Sequence, residues 1–206
     1  MIAIIDYGCG NLFSLKCSFE SLGADIVVTS DKSVIEKADK LVLPGVGAFR
    51  DAAEKLQKSG LDKVIKEQAK SGKIMLGICL GMQMLFEKSY EYGEYEGLGL
   101  ISGKVKPIIA PKEYKIPHIG WNKLTFTDKK SPLFKYINEE DYVYFVHSYF
   151  ADECTDAQIA VTDYPELITA AVQDKNVFGT QFHPEKSGEV GLKILKAFVE
   201  LEVSDI

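Results

Sequence analysis

The chain has 206 residues, 46% of them apolar and 26% charged, which suits one domain with a real core and is ordinary for a soluble globular protein. A formal net charge of -6 argues against nucleic acid or an anionic membrane surface as partner, since both attract positive charge. No apolar run approaches the ~20 residues that span a bilayer.

The elements follow in chain order. Met1 to Asp6 reads as a compact apolar strand, not a signal peptide, because no basic segment precedes it and an acid closes it. Asn11 can cap a helix whose apolar stripe uses Leu12, Leu15, Phe19 and Leu22, closed by Gly23. Ile26-Val27-Val28 is strand-like, and Leu41-Val42-Leu43 is a second short strand stopped by Pro44. A helical stretch runs from about Phe49 to Lys70, broken near Gly60. Ile74 to Ile78 reads as a buried strand, and Met82 to Phe86 as the start of another helix. From Gly99 onward strand signals crowd together: Val143 to Phe150, Ile159 to Thr162, Ile168 to Gln173 and Val177 to Phe182. The last helix carries Ile194, Leu195, Phe198 and Leu201 on one stripe. The pattern predicts an α/β fold in a single domain, 1–206, with a mainly parallel central sheet covered by helices on both faces and added antiparallel strands.

Cys9, Cys17, Cys79 and Cys154 form no CxxC pair and no zinc-like spacing, so reduced thiols in a cytoplasmic protein are expected, with no metal. The strongest local signal is Gly77-Ile78-Cys79-Leu80-Gly81, between a buried strand and a helix. It is the G-x-nucleophile-x-G arrangement with cysteine as the nucleophile. Small flanking residues let the backbone turn sharply. A following helix aims its N-terminal end at the sulfur, which favours thiolate. The Leu80 N–H would point at an oxyanion formed beside the sulfur. The bland alternative is a buried structural cysteine between two incidental glycines.

Only three histidines could act as a base: His118, His147 and His183. In Phe182-His183-Pro184-Glu185, an extended backbone would set His183 and Glu185 on one face, so the carboxylate could orient the imidazole. His-Pro-Glu is also a common turn. His147, in an aromatic strand with no acid two residues away, is a rival base suited to packing or to the substrate side. His118, next to Pro117, reads as a loop residue. Pro44-Gly45-Val46-Gly47-Ala48-Phe49 offers close backbone approach and a second oxyanion donor, or is a tight turn alone. It lacks the Gly-Lys-Ser/Thr ending of a phosphate loop.

Taken together, the Pro-Gly-x-Gly loop, Gly-Ile-Cys-x-Gly-x-Gln and the late His-Pro-Glu resemble the class I, triad-type glutamine amidotransferases. The similarity extends over essentially the whole chain to the glutaminase subunits of imidazole glycerol phosphate synthase, in Ile5 to Asn11, Pro117-His118-Ile119-Gly120-Trp121-Asn122, Tyr144 to Tyr149 and Gly179 to Ser187. Cys9 stands where that pattern leads one to expect methionine.

The resemblance implies Cys79 as nucleophile, His183 as general base and acid, and Glu185 as orienter. It implies an oxyanion hole from the N–H groups of Leu80 and the Val46-Gly47 region. Gly47, Gln83, Ser148 and Tyr149 would contact the amino-acid end of glutamine, and Asn11, Trp121 and Tyr144 would lie near a partner interface. It implies no cofactor. It implies a heterodimer with the (β/α)8-barrel cyclase subunit of the synthase, which uses the ammonia in histidine biosynthesis. Two alternatives stay open: a class I glutaminase serving another synthase, and a catalytically silent binding subunit.

Overall fold

Four apolar residues in a row form the first strand, β1 (Ile2–Ile5), and all four are buried, as a strand covered on both faces requires. A computed structural model describes residues 1–206. The first half alternates: α1 (Leu12–Ser21), β2 (Ile26–Thr29), α2 (Lys32–Lys37), β3 (Lys40–Leu43), α3 (Phe49–Ser59), α4 (Leu61–Lys70), β4 (Ile74–Ile78) and α5 (Leu80–Met84). The second half is mostly strand: β5 (Lys88–Ser89), β6 (Tyr95–Glu96), β7 (Lys104–Pro107), β8 (His118–Lys123), β9 (Thr125–Phe126), β10 (Tyr142–His147), β11 (Tyr149–Asp152), β12 (Gln158–Asp163), β13 (Leu167–Asp174) and β14 (Val177–Thr180), before α6 (Gly188–Glu200).

The main sheet has eight strands in the order β2-β1-β3-β4-β14-β13-β12-β9. The first five run parallel and the last three are added antiparallel. Successive residues of the parallel strands point to opposite faces and supply two cores. Ala3, Ile5, Leu41 and Leu43 meet α3 and α4 through Phe49, Leu56, Leu61 and Ile65. Ile2, Ile4, Val42 and Leu76 meet α1 and α6 through Leu15, Phe19, Ile194 and Phe198. Phe19 and Phe198, with ring centroids 6.2 Å apart, lock those two helices together. No helix is long and apolar enough to cross a membrane.

Local chemistry sets the helix ends. The Asn11 side chain accepts from the Ser14 N–H and starts α1. Gly60, at φ +66°, ends α3 and begins α4, which is the break expected inside residues 49–70. Several expectations need correction. The helix after Cys79 starts at once with Leu80 and lasts five residues, so Leu85 and Phe86 lie beyond it. The stretch 143–150 is two strands in different sheets: β10 pairs with β8, and β11 with β7. Ser148 is the crossing point. β14 ends at Thr180 rather than Phe182. His118 is no loop residue; it opens β8 and is buried, stacked between Phe145 and Tyr164. α2, capped by Asp31, is short and mostly polar, with only Ile35 buried, too little for a periodic signal.

Phe198→Ala removes a fully buried ring from the α1–α6 contact. It is expected to lower unfolding stability by about 3–5 kcal/mol, read from urea denaturation midpoints.

Candidate active site

The site lies beyond the carboxyl ends of three adjacent parallel strands, where open α/β sheets place ligands. In register, Leu43 of β3 faces Gly77 of β4, and Ile78 of β4 faces Thr180 of β14. The chain leaving β3 is Pro44 to Gly47, the chain leaving β4 is Cys79, and the chain leaving β14 leads to His183. Sequence spacing cannot bring these segments together, but the sheet does.

Cys79 sits at φ 54°, ψ -112°, a region that L-residues with side chains avoid. Its neighbours hold it there. Its N–H donates to the Thr180 carbonyl at 2.7 Å, and its carbonyl accepts from the Gln83 N–H at 3.1 Å. The two glycines of the motif permit the packing. A Cβ on Gly81 would lie 1.8 Å from the Leu43 carbonyl oxygen, and one on Gly77 would lie 2.8 Å from the Gly81 oxygen. The turn is thus pressed between β3 and β4. The Tyr7 hydroxyl donates to the Pro44 carbonyl at 2.7 Å and fixes the neighbouring loop. Because α5 is a single turn, what it offers the sulfur is local N–H groups and not a long dipole.

His183 and Glu185 meet through a 3-10 turn, Pro184–Lys186, that His183 begins, not through the extended backbone expected from the sequence. His183 Nδ1 lies 2.8 Å from Glu185 Oε1. An ionised carboxylate only accepts, so Nδ1 carries the proton and Nε2 is left for the sulfur. Burial is the largest influence on His183 and pulls its pKa down. Hydrogen bonding and charge from Cys79 and Glu185 outweigh it, so the imidazole sits well above its ordinary value. The turn is stitched to β10. The His183 N–H donates to the Tyr144 carbonyl at 3.0 Å. The Ser187 hydroxyl donates to the His183 carbonyl at 2.7 Å and accepts from the Tyr144 N–H at 3.0 Å.

Cys79 and His183 open into a cavity of about 410 Å³ that Val46, Gly47, Leu80, Gln83, Ser148 and Tyr149 also line. Glu185 stands behind the imidazole, its side chain 4% exposed. Of the three residues expected near an interface, none lines the cavity. Asn11 caps α1. Trp121 is 54% exposed on β8, with its ring 6.1 Å from that of Tyr144 on β10.

The structure adds residues that the sequence reading passed over. Glu91 lines the cavity, and its Oε2 accepts from the Phe49 N–H, capping α3 where Ala48 has no side chain to do so. Burial raises the Glu91 pKa, partly opposed by that N–H. It sits in a loop of Tyr, Glu and Gly without a motif, so no signal marked it. Lys186 and Pro117 also border the cavity. Gln181 is fully buried, with Nε2 3.8 Å from Cys79 Sγ. It lies two residues before His183, and that placement was the available clue.

His147 also lines the cavity, yet it cannot serve as the base. Its Nδ1 must donate to the Tyr149 carbonyl at 2.9 Å, so its Nε2 is the acceptor for His118 Nδ1 at 3.1 Å. Burial pushes its pKa down to about 3 and that of His118 to about 4.

A family model for "Glutamine amidotransferase class-I" matches residues 3–201. The chain is 49% identical over 202 residues to the imidazole glycerol phosphate synthase subunit HisH of Oceanobacillus iheyensis, covering 98% of this chain and 99% of that one. It is 53% identical over 200 residues to the HisH subunit of Lactococcus lactis, covering 97% and 98%. Among solved structures, a glutamine amidotransferase superposes with a TM-score of 0.75 at 16% identity, covering 97% of this chain and 98% of that one. PurLQS from Thermotoga maritima gives 0.70 at 22%, covering 96% of each. Those two likenesses concern the fold alone.

Both buried imidazoles stay neutral in the folded state, whereas the unfolded chain takes up protons near pH 6.5. The stability this pair contributes is therefore complete above about pH 6.5 and is lost as pH falls toward 4. Ring-proton NMR signals of His118 and His147 should hold neutral positions down to pH 5, while the urea midpoint declines between pH 6.5 and 5.

Proposed function

As the chain belongs to the class I glutamine amidotransferase family, we propose that Cys79, His183 and Glu185 are its catalytic triad, acting on glutamine held in the cavity between β3, β4 and β14. The chain is a glutamine amide hydrolase that serves the cyclase of imidazole glycerol phosphate synthase in histidine biosynthesis. The observation that carries the residue assignment is the 2.8 Å hydrogen bond from His183 to Glu185 behind a cavity that His183 and Cys79 line together.

The raised pKa of His183 favours an imidazolium beside a thiolate. The Cys79 sulfur attacks the side-chain amide carbon of glutamine. The tetrahedral oxyanion accepts from the Leu80 N–H and from an N–H of the Val46-Gly47 region, each worth ~3–4 kcal/mol to the transition state. The His183 Nε2 proton passes to the amide nitrogen, the C–N bond breaks, and ammonia leaves a thioester. Neutral His183 then takes a proton from water as its oxygen attacks the thioester carbon. The C–S bond breaks, glutamate leaves, and the thiolate–imidazolium pair is restored. Glu185 keeps Nδ1 protonated throughout.

Substrate binding follows from what lines the cavity. Both N–H groups of Gln83 are committed, to the Tyr149 carbonyl and to Gln181 Oε1, so its own Oε1 is free to accept from glutamine. Glu91 offers negative charge to the α-ammonium. Gly47, Ser148 and Tyr149 complete the walls around the amino-acid end.

Free ammonia in open water is protonated and lost to synthesis, so a partner must cover the exit. That partner is the cyclase subunit, in our reading a (β/α)8 barrel forming a heterodimer. The exposed Trp121, with Tyr144 and Asn11, belongs to the covered face. Chemistry on a small polar amide between reduced thiols and a cyclase fits a cytoplasmic protein of one domain, free of nucleic acid and membrane.

The test is glutamine hydrolysis by wild type and Cys79→Ala, each with and without the cyclase. Wild type should be slow alone and strongly accelerated by the partner. Cys79→Ala should be inactive in both cases and resist labelling by a glutamine-analogue electrophile. Equal wild-type turnover with and without the cyclase would refute coupling, and residual turnover in Cys79→Ala would refute the nucleophile. Glu185→Gln should lower kcat by roughly 10²–10⁴-fold, since the imidazole loses the charge that orients it.

A further inference from the structure

The triad sets His183 beside Cys79 in one cavity. A second polar group, two residues before His183 on the same segment, reaches the sulfur. Gln181, fully buried, places its side-chain nitrogen 3.8 Å from Cys79 Sγ. An amide could equally present its oxygen there, which would repel a thiolate, so the orientation decides the chemistry.

The neighbours fix that orientation. The Tyr149 backbone carbonyl can only accept, so Gln83 must turn its nitrogen toward it, at 2.9 Å. The other N–H of that nitrogen then faces Gln181, which must answer with Oε1, also at 2.9 Å. Gln181 is left with its NH₂ pointing at the sulfur. The anchoring carbonyl is itself pinned by His147 Nδ1–H, and His147 by His118. One backbone carbonyl therefore settles which atom meets the nucleophile, through two glutamine side chains.

We propose that Gln181 is a catalytic residue that donates a hydrogen bond to the Cys79 thiolate, with Gln83 as the positioning residue that keeps its amide the right way round. A donor to sulfur favours the charged over the neutral thiol. It acts again when the thioester breaks down, because the departing sulfur regains its charge as the C–S bond opens. While the thioester persists the sulfur is neutral, and the bond contributes little. Gln181 thus assists the attacking and leaving states of one atom and involves no bond changes of its own.

The proposal rests on Cys79 being the nucleophile, and its readout does not require glutamine. Gln181→Glu keeps the shape and replaces the donor with an acceptor; Gln181→Met removes the donor. The rate of Cys79 alkylation by iodoacetamide is followed against pH in the full chain, with glutamine turnover in complex with the cyclase measured in parallel. In both variants the pH at half-maximal alkylation should move upward. Alkylation below that point should slow about tenfold in Gln181→Met and more in Gln181→Glu. A second measurement uses the unaltered protein. The Gln181 side-chain NH₂ signals in NMR should shift as the Cys79 thiol ionises. An alkylation profile that stays in place in folded variants, or NH₂ signals indifferent to ionisation, overturns the role of Gln181. Loss of turnover with an unmoved profile also counts against Gln181 and leaves the glutaminase reading standing.

Discussion

The parallel pairing of β4 with β14 sets Ile78 opposite Thr180, and the Cys79 N–H closes onto the Thr180 carbonyl at 2.7 Å. Every other feature of the site depends on that junction. It joins chain segments about a hundred residues apart, and it puts the sulfur and the imidazole beyond the same edge of one sheet. It also explains how Cys79 is kept at a positive φ. A residue in that conformation persists only where its surroundings over-determine it. Here these are a strand on each side, a one-turn helix ahead, and two glycines that let backbone press on backbone.

The sequence made the parallel core legible because its strands are short, continuous and apolar, and because helices with an apolar stripe separate β1 from β2 and β3 from β4. The elbow was legible for a related reason. Gly77 and Gly81 are required by contacts of 1.8 to 2.8 Å that no side chain could share, so the spacing carries the geometry. What escaped the reading has a physical cause in each case. The break at Ser148 lies inside one unbroken β-rich run, and which sheet each half joins is decided by remote partners. His118 looks like a loop residue beside Pro117, yet aromatic stacking with Phe145 and Tyr164 buries it. The His183–Glu185 pair was anticipated, but the turn that makes it is 3-10 and not extended. Glu91 acts on α3 from a different segment, and a cap supplied across the fold leaves no local pattern.

The polar groups around the cavity are not independent. The Tyr149 carbonyl receives His147 and Gln83, Gln83 reaches Gln181, and Gln181 reaches the sulfur. On the other side, the Ser187 hydroxyl and one backbone bond tie the histidine turn to Tyr144 of β10. The outer surface of that strand pair carries Ile119, Trp121 and Tyr142, each more than half exposed. A side chain on the exposed pair β8–β10 and the imidazole are thus separated by a few hydrogen bonds within one small two-stranded sheet. That layout links the exposed face to the His183 turn without passing through the main sheet.

The same long-range junction has a consequence for the newborn chain. Cys79 leaves the ribosome far ahead of Gln181, His183 and Glu185, since β14 and the histidine turn come near the C-terminal end. Until they arrive, the sulfur has neither the imidazole nor the Gln181 amide near it, and the Thr180 carbonyl that holds its backbone does not yet exist. Biosynthesis thereby orders the assembly: an unfinished polypeptide carries its thiol without its neighbours, and the cluster is complete only once β14 and the turn after it have taken their place.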